Sequence, residues 1–160
     1  MDAIDVAQLV TSGTTVAALG AAIWQVRSSR LQAQNETTHA YIARLSDVDF
    51  VKHLARSMDA LRVEDPSPDG TAIRWQVFQA LSHERQLDVA APFNAFETIA
   101  GLYNLDHLNR EIVERQVGNT AKVVFERIRW WIQRTREQNP SYFHEWESML
   151  ADFERRRAER

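Results

Sequence analysis

The chain has 160 residues, of which 44% are hydrophobic, 26% charged and 9% aromatic. That length supports one domain with a single core, and the composition excludes wholesale disorder. The absence of Cys excludes disulfides and thiolate sites, five Gly and four Pro disfavour turn-rich all-β designs, and a net charge of −3 gives no general attraction to nucleic acid.

The first element is an apolar helix. From Val6 to Val26 there are 21 residues without a charge, preceded by Asp2 and Asp5 and followed by Arg27 and Arg30. In a helix that run spans roughly 30 Å, the thickness of a bilayer core. The basic flank predicts a cytoplasmic domain and an outward N-terminus, with Trp24 at the interface. A secretory signal is a poor fit, because no basic residue precedes the run. Gly13, Ala17 and Ala21 recur every fourth residue and form a small-residue face suited to close helix association. The expected division is therefore a membrane-spanning segment over 1–30 and a helical domain over 31–160.

The remaining chain shows helical rather than strand periodicity. The first helix can continue past Arg30, with Leu31, Thr38, Ile42 and Leu45 along one side. Ser46 is the expected N-cap of a second helix, whose stripe is Val51, Leu54, Met58 and Leu61. EDPSPDG, residues 64–70, is the plainest break. Ile73, Val77, Ala80 and Leu81 mark a third helix. Pro92 suits the first turn of the next, which buries Phe93, Phe96, Ile99, Ala100 and Tyr103. The longest helix of the domain is expected from about Asp106 to about Glu137. Its heptad seam is Val113, Val117, Ala121, Val124, Ile128 and Trp131, and Arg134 and Arg136 suit its C-terminal dipole. The last helix carries Tyr142, Phe143, Trp146, Met149, Leu150 and Phe153, then Arg155, Arg156 and Arg157. The fold class is all-α: a helical bundle preceded by one long apolar helix.

Catalytic signatures are missing. The sequence contains no phosphate-cradling glycine loop, no G-x-S-x-G and no H-E-x-x-H. Glu36 and His39 form a lone E-x-x-H, whereas a di-iron bundle needs two. No cofactor and no metal are expected. Asn94 and Glu97 stand among Phe93, Phe96 and Ile99, and a carboxylate in that setting should find a cation. Arg134 or Arg136 is the expected partner, which makes the group a structural polar pair that docks two helices.

The run FNAFETIAGLYNLDHLN, Phe93–Asn109, followed by Val117-Gly118, VFERIRWWIQRTRE and YFHEWESML, resembles an uncharacterised bacterial family, the domain of unknown function 4760. The resemblance covers roughly Leu31–Phe153 and rests on Asn94, Glu97, Trp131, Ile132, Arg136 and Trp146; Phe125 stands where a Trp is common. It implies a short helical protein behind one apolar helix and a basic stretch. It implies no substrate.

The expected function is a non-catalytic, membrane-anchored interaction or regulatory module at a bacterial inner membrane. Its partners would be the bilayer and a second copy or another protein, with no nucleic acid. The alternative is a homo-oligomeric pore-type effector in stress or phage defence, suggested by Thr11, Ser12, Thr14 and Thr15 within the apolar run. A nuclease-like enzyme is the third reading, and the motif search weighs against it.

Overall fold

The computed structural model describes residues 3–62 and 67–160, with side chains described from residue 21 onward except 68 and 69. These residues form six helices and no strand: α1 (Ala3–Leu45), α2 (Val48–Ala60), α3 (Pro68–Gln79), α4 (His83–Asn104), α5 (Arg110–Arg136) and α6 (His144–Ala158).

At 43 residues, α1 is about 65 Å long. Among its described side chains, packing is confined to the C-terminal part. Every residue from Ala21 to Ala33 is exposed, whereas Thr38 and Ile42 are buried. Leu31, expected on the buried side, is exposed with Ile23, Trp24 and Val26. Among the described residues, no helix is long and apolar enough to cross a membrane. Most of the uncharged run, with Gly13 and Ala17 of the small-residue face, lies outside the described side chains.

The core lies between α4, α5 and α6, with α2 closing one side. All six heptad-seam residues of α5 are buried. Trp131 is the hub of an aromatic cluster, with ring centroids 5.6 Å from Phe93 and 5.7 Å from both Phe78 and Phe143. Trp146 stacks on Phe96 at 4.7 Å and meets Phe125 edge-on at 5.4 Å. Phe125 thus fills its place as a core ring. Gly118 permits the α5–α6 contact: a Cβ there would come within 3.3 Å of the Phe153 ring.

Four expectations are corrected. The N-cap of α2 is Asp47, not Ser46: Asp47 has extended backbone angles, and its carboxylate accepts from Asp49 and Phe50 N–H. The third helix packs through Trp75 and Phe78, while Ile73 and Val77 are exposed. The two rings stack at 5.6 Å and Phe78 reaches Trp131, so the larger aromatic area decides the orientation. The long helix begins at Arg110 rather than Asp106. Asp106 has φ 60° in the preceding turn, and Asn109 caps the helix by accepting from Glu111 and Ile112 N–H.

Pro92, expected in a first turn, lies in the interior of α4. A proline there removes the N–H that would serve the Asp88 carbonyl. His53 of α2 compensates, with its Nε2 2.8 Å from that carbonyl oxygen. The helix continues because a neighbouring side chain takes over the freed acceptor.

Candidate functional site

Two polar clusters organise the bundle, one at each end of α6. The first is at its N-terminus. Phe143, the N-cap residue, has φ 56° and no side chain able to accept from the helix. Glu97 of α4 supplies the acceptor. Its carboxylate takes the Trp146 N–H at 2.8 Å and the Glu145 N–H at 3.1 Å. Arg136, from the end of α5, holds the preceding turn by donating to the Tyr142 carbonyl at 2.9 Å and the Phe143 carbonyl at 3.3 Å. Its guanidinium also pairs with Glu147 at 2.8 Å. The Tyr142 hydroxyl donates to Asn94 Oδ1 at 3.4 Å, and Asn104 Nδ2 donates to the Glu145 carbonyl at 3.0 Å.

The expected Glu97–arginine ion pair is therefore not formed. The carboxylate's hydrogen-bond partners are backbone amides. Arg134 pairs with Glu137 on its own helix end, and Arg136 grips carbonyls and Glu147. The physical reason is that an uncapped helix N-terminus presents aligned donors and a positive dipole end that a half-buried carboxylate can satisfy. Burial pushes the Glu97 carboxyl above its ordinary range, against the lowering effect of the two amides and, more weakly, of Arg136. Tyr142 is raised as well, first by burial and then by the nearby Glu97 charge. Asn94, Glu97, Arg136 and Trp146 were identified separately along the chain; the fold brings them to one turn.

The second cluster joins α1 to the bundle and extends to the C-terminal end of α6. Thr38, fully buried, accepts the Asn109 N–H at 2.8 Å and donates to the Gln34 carbonyl at 2.6 Å. Asn109 Nδ2 donates to Asn35 Oδ1 at 2.7 Å, and Gln34 Nε2 donates to the Asp106 carbonyl at 2.6 Å. Arg30 lies 3.6 Å from the Asp106 carboxylate. Beside this joint, Glu114 is 6% exposed and faces Arg156, Arg157 and Arg160 at 3.9, 3.6 and 3.1 Å. Asp152 pairs with Arg155 and lies 3.9 Å from Arg110. It also accepts the Tyr103 hydroxyl at 2.5 Å. Burial, followed by the hydrogen bond to Asp152, pushes the Tyr103 hydroxyl up to about 12.

Sequence reasoning missed this second cluster. Asn109 followed by Arg-Glu-Ile carries an N-cap signal, and reading it would have moved the start of α5 to its observed place. The contacts of Asn109 with Asn35 and Thr38, more than 70 residues away, have no local signal.

Of the other expected residues, Ala21, Trp24 and Arg27 are exposed on α1, and Arg30, also exposed, pairs with Asp106 at the joint. A cleft of about 350 Å³ between α3, α4 and α5 is lined by Trp75, Phe78, Trp131 and Tyr142. A wider one of about 740 Å³, lined by Met58, Arg62, Glu126 and Trp130, lies between α2, α3 and α5. Among the described residues, no group of three His, Asp or Glu side chains is placed to hold a metal ion.

Fold and clusters together define an all-α bundle to which the C-terminal turns of the long α1 are hydrogen-bonded. The sequence matches the domain of unknown function DUF4760 over residues 12–153, and the chain belongs to that family. No curated protein and no solved structure matches it.

Proposed function

We propose that this protein is a membrane-anchored helical interaction module without catalysis of its own. The observation that carries the reading is the division of α1. Its last turns are locked to the bundle through Thr38, Asn35 and Gln34. N-terminal to them the helix leaves the bundle, with Ile23, Trp24 and Val26 exposed. Those three residues lie at the C-terminal end of the 21-residue uncharged run. A bilayer would bury those apolar side chains, and Arg27 and Arg30 favour the cytoplasmic side. The polar clusters support the non-catalytic part: Glu97, Glu114 and His53 each hold a helix end, an arginine group or a freed carbonyl. Self-association of the arm through Gly13, Ala17 and Ala21 would make the assembly homo-oligomeric.

The test is membrane fractionation of the full chain. Retention in the membrane after alkaline washing is expected. A monodisperse full-length protein in detergent-free buffer overturns the anchor. In detergent, an oligomer reduced to monomer by Gly13→Leu, with bundle helicity unchanged, supports the association face, whereas a wild-type monomer removes it and the pore-type alternative together.

A further inference from the structure

The direction of the helices decides which end of the bundle would face a bilayer. Along α1, Arg30 and Gln34 meet Asp106, and Asn35 and Thr38 meet Asn109. The start of α5 therefore lies at the end from which the arm departs. Helix α6 runs antiparallel to α5: Glu154 pairs with Lys122, Phe153 lies over Gly118, and Arg160 reaches Glu114. The arginines that close α6 thus gather at that same end, beside Arg110 and Arg30.

This end cannot neutralise itself. Arg30, Arg110, Arg155, Arg156, Arg157 and Arg160 share three carboxylates, Asp106, Glu114 and Asp152. The neighbouring Arg27 and Arg115 are offset by Glu111 and Glu159, and Glu36 stands beside Asn35 on the same turn of α1, which leaves an excess of two positive charges. The carboxylates lie inward, with Glu114 at 6% and Asp152 at 11% side-chain exposure, whereas Arg155 and Arg160 are 66% and 59% exposed. The acids thus hold the arginine stems in place and leave much of the guanidinium surface outward. Leu105, in the turn before α5, adds an exposed apolar side chain at the same end.

The distance suits contact. From Val26, the last residue of the uncharged run, to Asn35 is about 14 Å of helix. The headgroup layer occupies several of those ångströms, and long arginine side chains reach across part of the rest.

We propose that this arginine end rests on the anionic headgroups of the bilayer that α1 enters, fixing the bundle's orientation to the membrane. The proposal depends on the anchored reading above. Its partner is the lipid phosphate surface, recognised by charge-assisted hydrogen bonds from guanidinium groups.

The experiment compares the full chain in nanodiscs of phosphatidylcholine alone and of phosphatidylcholine mixed with phosphatidylglycerol. Trypsin cleavage at Arg155–Arg160 is the readout. Cleavage is expected to slow by about tenfold or more in the anionic discs, as two or more headgroup contacts each contribute severalfold. High salt, where screening falls to about 3 Å, should remove the difference. Arg157→Gln with Arg160→Gln should also remove it, followed at Arg155 and Arg156, whose cleavage sites the variant keeps, with circular dichroism reporting that the helices persist. Equal cleavage of the wild-type chain in both discs overturns the orientation proposal and leaves the anchor standing. A wild-type chain that does not enter discs of either composition overturns both.

Discussion

Replacing Glu97 with Ala should destabilise the bundle through the first turn of α6. The helix has no cap of its own, because Phe143 cannot accept from its amides. Deletion of the carboxylate leaves the Glu145 and Trp146 N–H groups, now bound at 3.1 and 2.8 Å, without an acceptor. Loss of an N-cap costs about 1 kcal/mol and at most about 2. The donor of Trp146, a buried residue, left unsatisfied costs about 1–3 kcal/mol, whereas the exposed Glu145 amide can turn to water, and relief of the carboxylate's own partial burial offsets part of this. A net loss of about 2 kcal/mol follows, which for a chain of this size lowers Tm by about 4–8 °C. Thermal unfolding by circular dichroism measures the total. Hydrogen exchange at residues 145 and 146 localises it and should accelerate there first. A Tm within about 1 °C of wild type, or unchanged protection of those two amides, refutes the capping role.

Glu97→Gln should cost less than half as much, because an amide oxygen still accepts. The same variant tests the pH dependence. A carboxyl raised in the folded state binds more protons there than in the unfolded chain. Its contribution is therefore fully present below the ordinary value of 4.5 and is lost as pH rises through the folded value; Glu97→Gln should flatten that part of a denaturant-measured stability profile. Tyr103 should ionise only near pH 12, so ultraviolet titration should show an incomplete tyrosinate signal at lower pH. Stability should fall between the ordinary value of 10 and about 12, and Tyr103→Phe should abolish that decline. Gly118→Val should destabilise by about 1–3 kcal/mol by pressing on Phe153, measured by urea unfolding. Gly118→Ala should cost less, because better helix propensity returns up to about 1 kcal/mol.

The long helices were legible because their signals are local and repeated. The α5 seam, with spacings of three and four from Val113 to Trp131, needs no knowledge of a partner, and all six residues are buried. The α6 stripe of Trp146, Met149, Leu150 and Phe153 reads the same way, whereas Tyr142 and Phe143, expected on that helix, lie in the turn before it. Boundaries and orientations failed where a short signal competed with a distant one. Pro92 indicates a first turn unless His53 is available to take the Asp88 carbonyl. Ile73 and Val77 indicate a core face until Trp75 and Phe78 find Trp131. Glu97 among aromatic residues signals a carboxylate in need of a partner, and the nearby arginines are the local candidates for it. The amides that serve it belong to a helix start 48 and 49 residues away.

By itself, then, the sequence determined the all-α class, the apolar character of the N-terminal run and the family. These depend on periodicity, local charge and residue-by-residue likeness. The tertiary structure alone decided that α1 is jointed to the bundle through Asn35, Thr38 and Asn109. It also decided that Glu97 caps α6 and that the last arginines gather where the arm departs. Each is a meeting of groups far apart in the chain, and the relative direction of packed helices, which no local pattern encodes, fixes which polar groups share an end.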